Sequence, residues 1–581
     1  MHRTPTLLLT LFAVAFSTAA FSQNVSLTRA DFIPAPEARV TGAPVFAKDK
    51  QGNFCQAVST HPAGGTTVGT WLVAKYLSSG MIRWTMPWPY PVRPRPDLDV
   101  TAIALDPAGN VIVAGTVNGN GADTEAVVTK WDPTGAVMWN IQLGLGQSLT
   151  APTCMTTDTL GNIYIGGTVR NSPVADSADF LLLRIDNNGS LVWSRTYNGS
   201  AGRLDQVTAI ATDASGNVYI TGESKGEIKF TSRFGTEIIP EGLDYETIKY
   251  DGSGQVLWSN RYYTNLTDIP SAITLDAAGN AYVTGSANGV ATTVCYNGQT
   301  GTGQWVAISA SAQNNTSIAL DPSGNVVTAG YAINSGNLNY IISKYTPTGS
   351  LSWSATAAAG PYAPFTYGPN VALAIDKGSF IYISGESIPL GAASVQNLQF
   401  LTQRYAPTGQ SEWSQYYSYG SGYANIPSWV TTVEPAVPSP FRYPTVFVGG
   451  YAGLAGGNSE LASLTYTQSV IRLNLSASVD SVSAKTASPD DGSTAALANY
   501  PNPFHGTTTI AYSLTHQSHV TLQLFDASGK TIATLLNDDE PAGLHTFPFT
   551  ANRLIAGIYA YRIVATSPQG NLTTTKQMII Q

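Results

Sequence analysis

The chain has 581 residues and a net charge of −8, and only 11% of its residues are charged, well below the ~25% of an average domain. With no basic run, this balance argues against nucleic-acid binding, which needs a clustered cationic face. Gly 55 and Pro 34 mark a turn-rich all-β chain, long enough for one large core and a smaller second domain.

The chain opens with an export signal predicted over residues 1–22. Met1-His-Arg3 is a basic start, Leu7–Phe16 an apolar run, and Ala20-Phe-Ser22 a small-x-small cleavage site. Ten apolar residues are too few to span a bilayer, and no later run approaches ~20, so no transmembrane span is expected. No cysteine follows the apolar run, which removes the usual attachment point for a lipid.

From Asp49 to Trp413 one unit is written seven times. Its first half is an aspartate turn between apolar runs, as in Ala102-Ile-Ala-Leu-Asp-Pro-Ala-Gly-Asn-Val-Ile-Val-Ala-Gly115. Its second half is a glycine turn and a tryptophan, as in Lys130-Trp-Asp-Pro-Thr-Gly-Ala-Val-Met-Trp139. The aspartates are Asp49, Asp106, Asp158, Asp213, Asp276, Asp321 and Asp376. The tryptophans are Trp84, Trp139, Trp193, Trp258, Trp305, Trp353 and Trp413, each with a glycine four residues earlier. The apolar runs read as buried strands. Asp-x-x-Gly-Asn fits a hairpin in which Asp accepts backbone N–H groups and Gly takes the φ > 0 position; at Asp376 the glycine, Gly378, comes one place early. Four short antiparallel strands per repeat, with a Trp on the outer one, make β-propeller blades.

After Trp413 a degraded unit continues through Thr445–Gly450, Leu461–Tyr466 and Ile471–Leu475 without the aspartate or tryptophan. The predicted fold is therefore an all-β propeller over residues 23–475, with eight four-stranded blades favoured over seven. Ring closure is not legible at this level. Cys55, Cys154 and Cys295 fall in the first, third and fifth units, too far apart for disulfides and read as small buried hydrophobes.

Residues 476–498 are rich in Ser, Ala, Thr and Asp and read as a flexible linker. A module over 499–581 follows, with alternating strands such as Ile510/Tyr512/Leu514 and Val520/Leu522/Leu524, the pattern of a small β-sandwich.

This module resembles the C-terminal type A sorting domain of the type IX secretion system. The matching elements are Tyr500-Pro-Asn-Pro-Phe504, Thr507–Leu514, Leu524-Phe-Asp-Ala-Ser-Gly-Lys530, Gly557-Ile-Tyr559 and Lys576. The resemblance implies an outer-membrane address, usually removed as the cargo is released or anchored, and a partner in the type IX outer-membrane machinery. It makes Pro501, Asn502, Pro503, Phe504, Gly557, Tyr559 and Lys576 the sorting-signal residues and implies a secreted or cell-surface location. The repeat units are similar to bacterial β-propeller repeats of the Asp-x-x-Gly-Asn-x-Tyr-x-Thr-Gly type, a likeness of architecture rather than activity. The Gly-x-x-x-Trp element resembles the tryptophan-docking repeat of quinoprotein dehydrogenases, but no adjacent cysteine pair or cofactor-ligand set accompanies it.

No catalytic, metal or cofactor site is predicted. Only His61 of the six histidines lies in the propeller, too few for a His triad or metal cluster. One carboxylate per turn falls short of a calcium loop. Glu223, Glu227, Glu241, Asp244 and Glu246 crowd one long connection; they read as a solvated loop, with paired-carboxylate glycan hydrolysis as the competing use.

The tight turns all fall on one face of the ring, and the long irregular connections on the other. Those connections are rich in aromatics, and Trp88, Tyr90, Tyr263, Tyr367, Tyr419 and Trp429 are the predicted ligand-binding residues. The predicted function is a secreted or surface propeller binding an extracellular polysaccharide or protein. A carbohydrate-active hydrolase or lyase using carboxylates of the same face is the first alternative, and a structural surface component the second.

Overall fold

The computed structural model describes residues 23–470 and 497–580 apart from short connecting stretches, the longest being 63–69, 88–96, 389–397 and 435–443. The predicted signal segment and residues 476–496 of the predicted linker lie outside the described residues, and the last two linker positions, 497 and 498, open a strand of the second unit. Two compact units emerge, Met1–Leu473 and Asn474–Gln581. No described helix is long and apolar enough to cross a membrane.

Among the described residues the first unit is a propeller of eight antiparallel blades of four strands each, blade 1 carrying in addition the short strand Ala38–Val40 on its second strand. Blade 2 illustrates the plan, with Asp97–Leu105 innermost, then Val111–Asn118, Thr124–Trp131 and, outermost, Val137–Leu143. The inner strands lie side by side around a central channel, and that of blade 1, Val45–Lys48, meets those of both blade 2 and blade 8. Most inner strands carry a one-residue bulge, for example at Pro152/Cys154 and Asn315/Ser317. The bulge aims a hydroxyl residue at the next blade: Thr153 Oγ1 donates to Val207 O at 2.6 Å and Thr316 Oγ1 to Val371 O at 2.9 Å.

Blade 8 answers how the ring closes. Its inner three strands are Tyr423–Val433, Thr445–Leu454 and Ser459–Val470. The fourth comes from the other end of the chain: Gln23–Pro34 pairs antiparallel with Ser459–Val470, from Gln23 opposite Val470 to Pro34 opposite Glu460. Residues 471–475, the last segment of the predicted eighth unit, lie outside the described residues.

Each aspartate turn is a closed polar knot. Asp106 Oδ1 accepts from the N–H groups of Ala108 (3.0 Å) and Asn110 (2.9 Å), and Oδ2 from Asn110 Nδ2 (2.7 Å). Gly109 sits at φ 79°, which a side chain would disfavour. Lys130 on the third strand adds an ion pair at 2.8 Å with both partners buried. Burial alone would raise the Asp106 carboxyl, but the bonds from Lys130 and Asn110 outweigh it and hold the group below the usual range. In blade 7, where Gly378 comes early, Ser379 takes the left-handed position at φ 63°. Phe380 there replaces the asparagine, and the buried Arg404 guanidinium lies 3.7 Å from its ring centre.

Adjacent blades are joined by hydrophobic wedges and by the repeated tryptophans. Each of six Trp rings donates its indole N–H to the glycine turn of the following blade: Trp84 to Pro133 O, Trp139 to Asn187 O, Trp193 to Gly252 O, Trp258 to Gly298 O, Trp305 to Pro347 O and Trp353 to Pro407 O, all at 2.9–3.2 Å. The glycine of the Gly-x-x-x-Trp element leaves room for the preceding blade's ring; a methyl on Gly301 would sit 2.6 Å from Trp258. The motif is thus both socket and plug. Third-strand cations add to the seam, with Arg184 Nη1 on Gly252 O at 2.7 Å and Lys249 Nζ on Gly298 O at 2.8 Å. All three cysteines are free thiols, Cys55 and Cys295 fully enclosed.

The second unit is a small β-sandwich. One sheet orders Leu497–Tyr500, Thr507–Leu514 and Gly543–Thr550; the other orders Thr531–Glu540, Ser518–Phe525, Gly557–Ser567 and Gly570–Ile580. Ile510, Tyr512, Leu514, Val520, Leu522 and Leu524 alternate into the shared core with Tyr561, Ile563 and Met578.

Candidate functional site

The tight-turn face has little free chemistry. The channel mouth there is a depression of about 390 Å³ whose wall includes Lys48, Asp106, Thr157, Asp158, Thr212 and Asp213. Its carboxylates are taken up by their own turns, as at Asp158 and Asp213. Thr157 and Thr212 hydroxyls bond to neighbouring carbonyls, Leu105 O and Thr157 O. Among the described residues no cluster of three or more His, Cys, Asp or Glu could hold a metal ion.

The opposite face is uneven. At blades 5 and 6 its connections between second and third strands are two-residue turns, Asn288-Gly289 and Ser335-Gly336, all four residues at φ 50–76°. At blade 4 the corresponding strands run on as a hairpin, Val218–Ser232 and Gly235–Tyr250, roughly twice the length of those in blade 5. A low ledge therefore lies beside a projecting hairpin.

On that ledge stands Tyr263, 56% exposed, with Leu266 at 51% and Ile269 at 37%. Their loop is held from beneath by Asp268, which is fully buried. Its carboxylate accepts from Thr264 N (2.6 Å), Thr264 Oγ1 (2.7 Å) and Asn288 N (3.0 Å). From the side, Gly242 of the hairpin packs directly on the Leu266 carbonyl, where any Cβ would collide. An exposed ring on a loop so tied is presented in one geometry, which favours stacking on a ligand because little ordering entropy is lost on binding.

The other predicted contact residues divide sharply. Trp88, Tyr90, Tyr367 and Tyr419 lie outside the described residues. Trp429 is a correction: it is 4% exposed, stacks on Phe46 at 4.1 Å, packs against Phe54, and donates to Gln56 Oε1 at 3.3 Å. It belongs to the hydrophobic seam between blades 8 and 1, because its place on an inner strand puts its ring inside the wedge. Tyr416 is 56% exposed at the end of the outer strand of blade 7.

The acidic connection is also corrected. It is a hairpin, and Asp244 and Glu246 are buried within its root rather than solvated. Arg261 bonds Asp244 through Nε at 2.6 Å, and the Tyr197 hydroxyl of blade 3 lies beside Glu246. Burial raises the Glu246 carboxyl to about 7, with Arg261 and Tyr197 holding it from going higher. Glu223 is half-buried and burial raises it too; the side chains of Glu227 and Glu241 lie outside the described residues. At 3% exposure Glu246 is closed to a polymer substrate.

In the sandwich, Tyr559 is buried in the core, Gly557 is half-buried opposite Ile580, and Lys576 is exposed opposite Tyr561. Pro501, Asn502, Pro503 and Phe504 lie outside the described residues.

Residues 498–581 match the secretion system C-terminal sorting domain, and residues 192–229 match a beta-propeller repeat. No curated protein matches the chain. Among solved structures, a Dos1 propeller is similar at 9% identity over 75% of this chain and 95% of its own, with a TM-score of 0.43. PorZ, an essential bacterial surface component of the type-IX secretion system of Porphyromonas gingivalis, is similar at 14% identity over 93% of this chain and 70% of its own, with a TM-score of 0.37. A protein of Dyadobacter fermentans is similar at 10% identity over 76% of this chain and 99% of its own, with a TM-score of 0.34. The chain thus combines a β-propeller with a type IX sorting domain, which addresses it through the secretion machinery to the cell surface or the medium.

Proposed function

We propose that the exported propeller is a binding protein whose ligand, an extracellular polysaccharide, docks on the ledge around Tyr263. The observation that carries this reading is an exposed aromatic ring on a loop clamped by a fully buried aspartate. A tyrosine face on the same loop as the exposed Leu266 and Thr267 suits a sugar ring, which offers an apolar C–H face and a polar rim. The opposite face spends its carboxylates on structure. An extracellular protein is the other occupant of such a surface, and hydrolysis the other use of its acids.

A glycan array probed with the full-length chain, together with hydrolysis assays on every glycan that binds, tests the proposal. Binding without turnover is the expected result. Turnover abolished by a Glu or Asp substitution would replace the binder with a hydrolase or lyase.

Export supplies a separate prediction. Deleting residues 499–581 should leave the propeller folded but held in the periplasm of a host with a type IX system, because each unit has a hydrophobic core of its own. Cell fractionation of both chains measures this, and a truncated chain that reaches the medium or surface would contradict it.

A further inference from the structure

The root of the blade 4 hairpin gathers three carboxylates near Arg261, which bonds one of them, Asp244. Asp205 opens the inner strand of blade 4, Asp244 and Glu246 lie on the third strand, and Arg261 lies on the outer one. Asp205 and Asp244 are fully buried and Glu246 is 3% exposed. Arg261 is committed to Asp244 and to Ser224 O at 3.0 Å. Asp205 accepts from Gly199 N at 2.6 Å. Tyr197, from the outer strand of blade 3, reaches Glu246 across the seam. Asp179 lies near Asp205, and Tyr250 and Tyr296 also feel the Glu246 charge. Ser224 and Asp244 are the register pair at which the hairpin leaves the blade.

We infer that this root is a proton-operated latch: with Glu246 neutral the hairpin is fastened between blades 3 and 4, and its ionisation loosens the hairpin. Arg261 is already taken up by Asp244, and burial pushes the Asp205 carboxyl up as well, so ionising Glu246 adds charge to a root where burial already disfavours it. Solvent entering the opened root relieves that charge. Loosening also shifts the wall of the ledge, since Gly242 rests on the Leu266 carbonyl.

The sign follows from burial. The closed state holds the Glu246 proton up to about pH 7, whereas a solvated Glu releases it near ~4.3. Closure is thus favoured at low pH, and that advantage drains away as pH rises through the closed-state value.

Amide hydrogen exchange over residues 225–243 of the full-length chain, corrected for intrinsic rates, tests the latch without any ligand. Its failure is therefore distinguishable from failure of the binding proposal. Protection should fall about tenfold between about pH 6 and about pH 8.5. Glu246→Gln should remain protected at both. Tyr197→Phe removes the hydroxyl beside the carboxylate and should move the loss of protection to higher pH, an effect that a purely structural role would not produce. Equal wild-type protection at both pH values, or an undiminished pH dependence in Glu246→Gln, would overturn the latch. Should Glu246→Gln fail to fold, an unshifted profile in Tyr197→Phe overturns it.

Discussion

Removing Gln23–Pro34 should open the ring. That strand supplies the whole outer edge of blade 8, paired along eleven positions with Ser459–Val470. At about 1 kcal/mol net per ladder hydrogen bond, the loss is on the order of 5–10 kcal/mol once the newly bare edge is included. A typical domain has only about 5–15 kcal/mol in total. The deleted chain should therefore lose its cooperative thermal transition and aggregate through the exposed edge of Ser459–Val470. Circular dichroism melting and size-exclusion chromatography read this directly. A synthetic peptide of residues 23–34 added during refolding should restore part of the folded species. A deleted chain that melts like the parent would show that closure lies elsewhere.

Trp258→Ala should carry the largest cost of any single substitution in the blade seams. The ring is 7% exposed, donates to Gly298 O, and packs between Tyr219 and Tyr296 at centroid distances of 5.8 and 6.2 Å. Truncation leaves a cavity between two rigid sheets that cannot collapse into it, a loss of about 3–5 kcal/mol. Denaturant unfolding measures it. Gly301→Ala attacks the same contact from the socket side, where the φ of 73° adds backbone strain. The two effects should be less than additive in the double variant, because the alanine at 258 frees the space that the new methyl needs.

The fold was legible because its repeat is written in turn chemistry. Asp106, Pro107, Gly109 and Asn110 specify a hairpin locally, and seven copies of such a unit specify a ring. Blade 8 lacked those signals, and its outer strand lies more than 400 residues away in sequence, so no local pattern could reveal the closure. The third-strand cations Arg184 and Lys249 were in plain view, but their role depends on which carbonyl of the next blade they face. The binding face was legible as a face and not as residues. Trp429 and Tyr263 are both aromatics near long connections, and only packing distinguishes a ring wedged against Phe46 from one standing on a tethered loop. The acids of the hairpin root misled for a similar reason. A charged stretch normally marks solvent, yet Asp244 and Glu246 alternate onto the strand face that meets blade 3, where Arg261 and Tyr197 receive them.

In the proposed binding mode Tyr263 makes the ligand contact on a scaffold that does not need it for stability. Calorimetric titration of the tightest array glycan into the wild-type chain and into Tyr263→Ala, with melting curves for both, puts that to the test. An affinity loss of about thirtyfold, the ~2 kcal/mol of a central aromatic contact, is expected with an unchanged melting temperature. Equal affinity in the two chains would contradict it.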